Sequence, residues 1–223
     1  MRNLFVIIPA YNEAENITRV VAAVKAQTPF VVVIDDGSTD GTEACACTAG
    51  ATVIRHLVNR GQGAALQTGI RYALRHDADL LVTFDADGQH TAEDIPRLIT
   101  AMDANRCDVV LGSRFLGHGE NMSIIKWALL KAAIFFTWLV SGIRLTDAHN
   151  GLRLLSRNAA EKIVLRCDRM AHASELVDQV RAHALSFREV PVTVTYAPGR
   201  HKEQGIGSAL KIGVHYLLRR VVR

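Results

Sequence analysis

The sequence predicts an α/β fold in which a mostly parallel central sheet is flanked by helices. Three observations carry that expectation. Short apolar runs alternate with helix-length stretches through residues 1–112, the rhythm of right-handed βαβ units. The chain has 223 residues, 49% of them apolar, enough for one sizeable core. Finally, the polar motifs follow the apolar runs directly, where open α/β sheets bind their ligands.

Taken in order, strand-like runs are Leu4–Ile8, Phe30–Ile34, Thr52–His56, Leu80–Phe84 and Val109–Leu111. Each is apolar and bounded by turn residues, as a buried parallel strand should be. Between them, Glu13–Ala26, Thr39–Ala49, Gly63–Arg75 and Ala92–Asn105 read as helices. The second half is organised differently. Met122–Gly142 is a long apolar helix broken by Lys126 and Lys131, and its unbroken stretch Ala132–Val140 is too short to span a bilayer. Gly151–Leu155 and Phe187–Tyr196 read as strands, with helices over Glu161–Arg166 and Ser174–Ala184 and a final helix over Ser208–Arg223. No repeat, linker or low-complexity segment divides the chain. It is read as one domain, 1–223, with a ligand-binding half at 1–112 and an acceptor and interface half at 113–223.

The formal net charge of +4 is unevenly placed. From Arg200 onward, Arg200, Lys202, Lys211, Arg219, Arg220 and Arg223 stand against Glu203 alone, a balance of about +5, so the remainder is near −1. A nucleic-acid footprint over the whole domain is not supported. The four cysteines (Cys45, Cys47, Cys107 and Cys167) form no Cys-x-x-Cys pair, so a reduced cytosolic protein without a zinc site is expected. Met1-Arg2-Asn3 runs straight into a strand, and no signal peptide is read there.

The motif that says most is Asp85-Ala86-Asp87-Gly88-Gln89-His90, at the end of an apolar run. Two carboxylates one residue apart repel unless a cation separates them, and Mg²⁺ or Mn²⁺ prefers oxygen ligands of this kind. Alone, such a pair is usually a solvated turn; here it has company. Asp35-Asp36-Gly37-Ser38 ends the second strand. One of its carboxylates can accept from a nucleobase, while Ser38 or Thr39 can cap the next helix. In Asn59-Arg60-Gly61-Gln62-Gly63 the glycines let backbone N–H groups approach a phosphate or ribose, although a plain helix N-terminus is the simpler reading. Arg114, in Gly112-Ser113-Arg114-Phe115, can grip a phosphate through its fork of donors. Asp147, in the loop 146–151, could be a general base or could orient a ligand. His149 and His172 are more ordinary as structural residues, and Ser174 as a helix cap. On the last helix Lys211, His215, Arg219 and Arg223 recur at i, i+4, with Leu210, Val214, Leu217 and Val221 as an apolar face. That pattern suits a membrane surface or a helix packed on the domain.

Five motifs in order, Ile8-Pro9-Ala10-Tyr11-Asn12-Glu13, Val33-Ile34-Asp35-Asp36-Gly37-Ser38, Asn59–Gly63, Asp85–His90 and Gly112–Phe115, resemble the family-two inverting glycosyltransferases. The likeness covers nearly the whole chain and is closest to the branch like dolichyl- and polyprenyl-phosphate mannose synthases. The resemblance implies a GT-A fold with C-terminal amphipathic interface helices, and a nucleotide-diphosphate-sugar donor. By motif, Pro9, Tyr11, Glu13, Asp35 and Asp36, with Asn59, Gly61 and Gly63, fall at the donor nucleotide. Asp85, Asp87 and Gln89 fall at a Mg²⁺ or Mn²⁺ ion on the diphosphate, with Asp87 the centre of the chemistry. Arg114 falls near an acceptor phosphate. The branch's Arg-x-x-Gly-x-Ser-Lys tail is replaced by Tyr196–Gly205, in which Arg200 and Lys202 are the substitute charges. The motifs at 146–153 and 170–175 look like a bacterial subgroup of cell-surface glycan enzymes.

The implied function is metal-dependent, inverting transfer to a lipid-phosphate acceptor at the cytoplasmic membrane face, by a peripheral protein. The alternative is transfer to a glycan hydroxyl with Asp147 as the first candidate base and Glu175 the second. A nucleotidyltransferase would want a Gly-rich basic loop after the first strand, which Pro9–Glu13 does not supply. A receiver-like binding module built on Asp35 and Asp36 would be shorter. The apolar helix at 122–142 is also a possible homodimer face.

Overall fold

The computed structural model describes residues 2–120, 122–147, 150–167 and 171–196. Its strands are β1 (Leu4–Ala10), β2 (Phe30–Asp35), β3 (Thr52–Arg55), β4 (Leu80–Thr83), β5 (Val109–Glu120), β6 (Arg153–Ser156) and β7 (Phe187–Thr195). The helices are α1 (Ala14–Lys25), α2 (Thr42–Thr48), α3 (Gln62–Arg75), α4 (Ile95–Asn105), α5 (Ile124–Ser141), α6 (Arg157–Lys162) and α7 (His172–Ala182). A short 3-10 turn at Ala92–Asp94 leads into α4. The expected helix at 208–223 lies outside the described residues, as do His149, Arg200 and Lys202.

All seven strands form one sheet in the order β3-β2-β1-β4-β6-β5-β7. Only β6 runs antiparallel to its neighbours, β4 and β5. Strand β1 is buried along its whole length because helices cover both faces. Its side chains alternate: Leu4, Val6 and Ile8 pack with Ile17, Val21, Ile95 and Leu98 on one side, Phe5 and Ile7 with Ile70, Leu81 and Leu176 on the other. Each such side chain stabilises the fold by roughly 1.5–3 kcal/mol. Gly69 lets α3 lie close on β1, since a Cβ there would overlap the Ile7 side chain. From β1 the chain runs outward to β2 and β3, then crosses back past β1 to β4 on its other side. The loops after β1 to β4 therefore share one edge, with a crevice at the switch point.

Four expectations about local structure need correction. Strand β5 continues to Glu120, far past Leu111, because β7 pairs with it on both sides of an irregularity between Ser113 and His118. The helix expected at Glu161–Arg166 is instead α6, started by Ser156, whose Oγ accepts from the Ala159 N–H at 3.1 Å. Residues 163–167 are not helical because side chains take their N–H groups: Gln179 at Val164, Gln67 at Leu165, and Glu175 at Arg166 and Cys167. Ser174 lies inside α7, whose N-cap is Ala171. Ser38 and Thr39 do not cap α2; its N-cap is Gly41.

Candidate active site

The loops after β1 and β2 are stitched into one rim. The Asn12 N–H donates to Ser38 Oγ (3.0 Å), and the Thr39 N–H donates back to Asn12 Oδ1 (2.9 Å). Glu13 N–H donates to Thr42 Oγ1 at 2.8 Å. Ser38 and Thr42 thus serve the neighbouring loop rather than their own helix. Asn12 takes the left-handed conformation (φ 54°) that lets the chain turn here. Pro9 is buried at the end of β1, and Tyr11 stands out on the rim, 43% exposed.

The adjacent carboxylates where β2 ends, Asp35 and Asp36, have different tasks. Asp36 is saturated: it accepts from His56 Nδ1 (2.7 Å) and the Arg60 N–H (3.0 Å) on one oxygen and from the Gly61 N–H (2.6 Å) on the other. Asp35 accepts from the Ser38 N–H at 3.2 Å through Oδ1. Its Oδ2 is buried without a hydrogen bond, with the Arg55 guanidinium 3.6 Å away. A buried carboxylate oxygen in that state can take a further N–H donor.

The Asn59–Gly63 loop lies between this rim and the Asp85 turn. Gly61 has φ 93°, a conformation suited to glycine. Gly63 answers to packing, because a Cβ there would overlap the Cys167 carbonyl oxygen. Gln62 Nε2 donates to Asp85 Oδ1 at 2.9 Å, so the loop spans from one acidic turn to the other.

At the Asp85–His90 turn the two carboxylates differ electrostatically. Burial pushes Asp85 up, but the hydrogen bond and charge of His90 (3.3 Å), with Arg153 and His172 nearby, hold it below its ordinary value. Burial and the Asp85 charge hold Asp87 above its ordinary value. One Asp87 oxygen accepts from the Gln89 N–H (3.0 Å); the other takes no hydrogen bond among the described residues. The turn is backed by Gly151, where a Cβ would overlap the Asp85 carboxylate. No group of three or more His, Cys, Asp or Glu side chains suited to a metal occurs among the described residues. The oxygen donors of this turn, with a desolvated Asp87 one of whose oxygens takes no hydrogen bond among the described residues, fit a hard divalent ion.

Beyond the acidic turn lies a buried charge network. Arg114 Nε donates to Asp147 Oδ2 at 2.6 Å, and Nη1 donates to the Tyr196 hydroxyl at 2.5 Å. Burial lowers the Arg114 proton affinity, but the Asp147 charge outweighs it and leaves the guanidinium above its ordinary value. Tyr196 is raised by burial despite Arg114. From β7, Glu189 accepts the N–H groups of Thr146 (2.9 Å) and Asp147 (3.1 Å), fixing the turn that carries Asp147. Arg153 is buried at 4% exposure and carries charge towards both Asp85 and Asp147. Glu175 faces another way, accepting the Arg166 and Cys167 N–H groups at 2.9 and 2.8 Å.

Sequence reasoning did not single out His56, Gln62, Arg153, Glu189 or Tyr196 as parts of these networks. Arg153 had a visible signal: an arginine inside the otherwise apolar run Leu152–Leu155 must find a buried partner.

The chain is similar to known proteins in both sequence and fold. The profile of the family described as "Glycosyl transferase family 2" matches residues 5–164. Polyprenol monophosphomannose synthase of Mycolicibacterium smegmatis is 34% identical over 203 residues, covering 85% of this chain and 76% of that protein. UDP-N-acetylglucosamine–dolichyl-phosphate N-acetylglucosaminyltransferase of Methanococcus voltae is 32% identical over 215 residues, covering 86% of each. Among solved structures, glucosyl-3-phosphoglycerate synthase from Mycobacterium tuberculosis, in complex with Mn²⁺ and UDP-glucose, superposes with a TM-score of 0.76 at 19% identity, covering 98% of this chain and 79% of that one. The sheet and its flanking helices are thus the GT-A fold, and the chain is a glycosyltransferase belonging to glycosyl transferase family 2.

Proposed function

We propose that this chain is a metal-dependent, inverting hexosyltransferase. It moves a sugar from a nucleotide-diphosphate-sugar to a polyprenyl-phosphate-type lipid in cell-surface glycan synthesis. The observation that carries this reading is the division of labour at the shared sheet edge. A buried Asp35 oxygen without a hydrogen bond stands at one end of the rim, and a desolvated Asp87 beside an ionised Asp85 at the other. Between them lies the Asn59–Gly63 loop, whose Arg60 and Gly61 N–H groups are held by Asp36. That arrangement suits a nucleobase at Asp35, a ribose against Pro9–Glu13 and Asn59–Gly63, and a diphosphate at Asp87. Asp87 and Gln89 would hold Mg²⁺ or Mn²⁺, with Asp85 set behind them by Gln62 and His90. When bound, the ion supplies positive charge for the departing nucleoside diphosphate.

The acceptor side supports a phosphate. Asp147 is 2% exposed and bound to Arg114, so its negative charge is committed to holding that guanidinium. Arg114 is the proposed grip on the acceptor phosphate. A phosphate oxygen is already an anion and needs no base. It attacks the anomeric carbon from the face opposite the nucleoside diphosphate; the old C–O bond breaks as the new one forms, and the configuration inverts. The two relatives named above, matched over most of their length, carry polyprenol or dolichyl phosphate in their names.

The acceptor's lipid tail calls for a membrane surface. No helix among the described residues is long and apolar enough to cross one. Helix α5 supports peripheral contact instead. Ile124, Trp127, Phe135, Trp138 and Leu139 are exposed along it. Lys131 Nζ lies 3.9 Å from the Phe115 ring centroid, and the Arg144 guanidinium carbon 5.2 Å from that of Trp138. Aromatic and apolar side chains alternating with cations suit the headgroup layer of a cytoplasmic leaflet.

A thermal-shift panel of UDP-, GDP-, TDP- and CDP-sugars, each with Mn²⁺ and with EDTA, tests the donor site. A ligand at one hundred times its Kd stabilises by about 2.7 kcal/mol, roughly 5–10 °C in a chain of this size. Such a shift with one nucleotide, requiring metal and absent in Asp87→Ala, is expected. No shift with any nucleotide in folded protein overturns the assignment.

A further inference from the structure

We propose that His56 is a positioning residue for the donor site: acting through Asp36, it holds the Asn59–Gly63 loop in its binding conformation. The inference rests on the donor-site reading above but concerns a residue outside the recognised motifs.

The hydrogen-bond chain is continuous. Thr68 of α3 lies 2.9 Å from His56 Nε2, and His56 Nδ1 lies 2.7 Å from Asp36 Oδ1. An ionised carboxylate only accepts, so Nδ1 carries the proton of that contact. Asp36 in turn accepts the Arg60 and Gly61 N–H groups, and Gln62, the next residue, donates to Asp85. Four links therefore run from the body of α3, through the end of β2, to the turn proposed to hold the diphosphate.

Burial makes each link matter. The His56 side chain is 10% exposed and that of Asp36 4%. A partner lost there is not replaced cheaply by water. The His56 backbone is itself fixed, its N–H donating to Asp35 O at 2.8 Å. Leu57 is 99% exposed and Val58 65%, so no apolar anchor seats the segment between His56 and Arg60. Gly37 brings the backbones together, since a Cβ there would stand 2.9 Å from Asn59 N. Without His56, Asp36 keeps both backbone donors but loses the group that aims its carboxylate at them.

Two near-isosteric variants separate the links. The amide nitrogen of Asn stands about where Nδ1 does, and that of Gln about where Nε2 does. His56→Asn therefore keeps the bond to Asp36, whereas His56→Gln keeps only the contact to Thr68. Two readouts are taken on the full chain: hydrogen exchange of the peptide spanning 57–62, and steady-state kinetics with the nucleotide-sugar found by the panel. For His56→Gln we expect loop exchange at least tenfold faster and donor KM raised about tenfold, with kcat within threefold. For His56→Asn both should stay within threefold of the unaltered protein. Unchanged loop exchange in His56→Gln overturns the proposal. So does a fall in kcat at unchanged KM, or equal damage by both variants. The exchange readout needs no ligand. If the unaltered protein binds no nucleotide-sugar, the donor reading fails while the clasp is still decided by exchange.

Discussion

Replacing Asp147 by asparagine separates two views of the acceptor side. In the structure its carboxylate lies under Arg114, 2.6 Å from Nε and 3.1 Å from the Arg114 N–H, both on Oδ2. Removing one partner of a buried ion pair costs about 3–5 kcal/mol. Asparagine is less severe, because one oxygen can still accept both Arg114 bonds while the charge is lost. A hydrogen bond to a charged group contributes about 1.5–3 kcal/mol and a neutral one about 1. The two bonds together thus place the loss near 2 kcal/mol, a fall in Tm of about 4–8 °C. The assay is transfer of labelled sugar to polyprenyl phosphate, at a temperature where both proteins are folded. With a phosphate acceptor, Asp147→Asn should retain measurable transfer, with a higher KM for the acceptor as Arg114 loses its anchor. Complete loss of transfer at unchanged Tm would refute the reasoning. It would make Asp147 a base and the acceptor a hydroxyl.

Further outcomes follow from other contacts. Gly151→Ala puts a methyl group against Asp85; metal-dependent stabilisation by nucleotide should weaken at least tenfold in apparent Kd by titration calorimetry, with the far-UV spectrum unchanged. Glu175→Ala removes the acceptor of the Arg166 and Cys167 N–H groups and should cost about 3–6 kcal/mol in urea unfolding, at the charge-assisted value per bond, whereas Glu175→Gln should recover more than half. Burial raises Asp108, but the Asn158 and Ser186 hydrogen bonds outweigh it and depress its pKa. Its contribution is therefore full above the ordinary carboxylate range and disappears as pH falls through the lower folded value. The urea midpoint of the unaltered protein should exceed that of Asp108→Ala at pH 7 and converge with it below that range. For the membrane face, Trp127→Glu with Phe135→Glu should abolish flotation with anionic vesicles and leave transfer to a short-chain, water-soluble acceptor intact.

The first half of the fold was legible because β1, β2 and β4 are almost wholly apolar and each is closed by a turn. Leu4–Ile8 and Phe30–Ile34 differ from the observed strands by one or two residues at one end. The long arm of β5 was not legible. Its residues 115–120 are Phe, Leu, Gly, His, Gly and Glu, with no apolar alternation, and they are a strand because β7 pairs with them. Residues 163–167 failed for the opposite reason. Their composition permits a helix, but Gln67, Glu175 and Gln179, two of them on a later helix, capture the backbone N–H groups. At the site, the motif acids stood out as polar residues at apolar strand ends. What sequence could not assign was the separate use of neighbours. Asp35 and Asp36 look equivalent in the chain, yet Asp36 is saturated by His56 and the 60–61 backbone while Asp35 keeps an oxygen without a hydrogen bond. Likewise Gly63 and Glu175, singled out as ligand-facing, have packing and backbone contacts that appear only once α3 and α7 meet residues 163–167.

The most direct test of the central claim is sugar transfer itself. Purified protein, the stabilising nucleotide-sugar and Mn²⁺ are incubated with vesicles containing polyprenyl monophosphate, and the anomeric configuration of the glycolipid is read by NMR. The account predicts a lipid-phosphate-linked sugar of inverted configuration, formed with Mn²⁺, absent with EDTA and absent in Asp87→Ala. A product with retained configuration, or nucleotide-sugar consumed with no label on lipid phosphate, would contradict it.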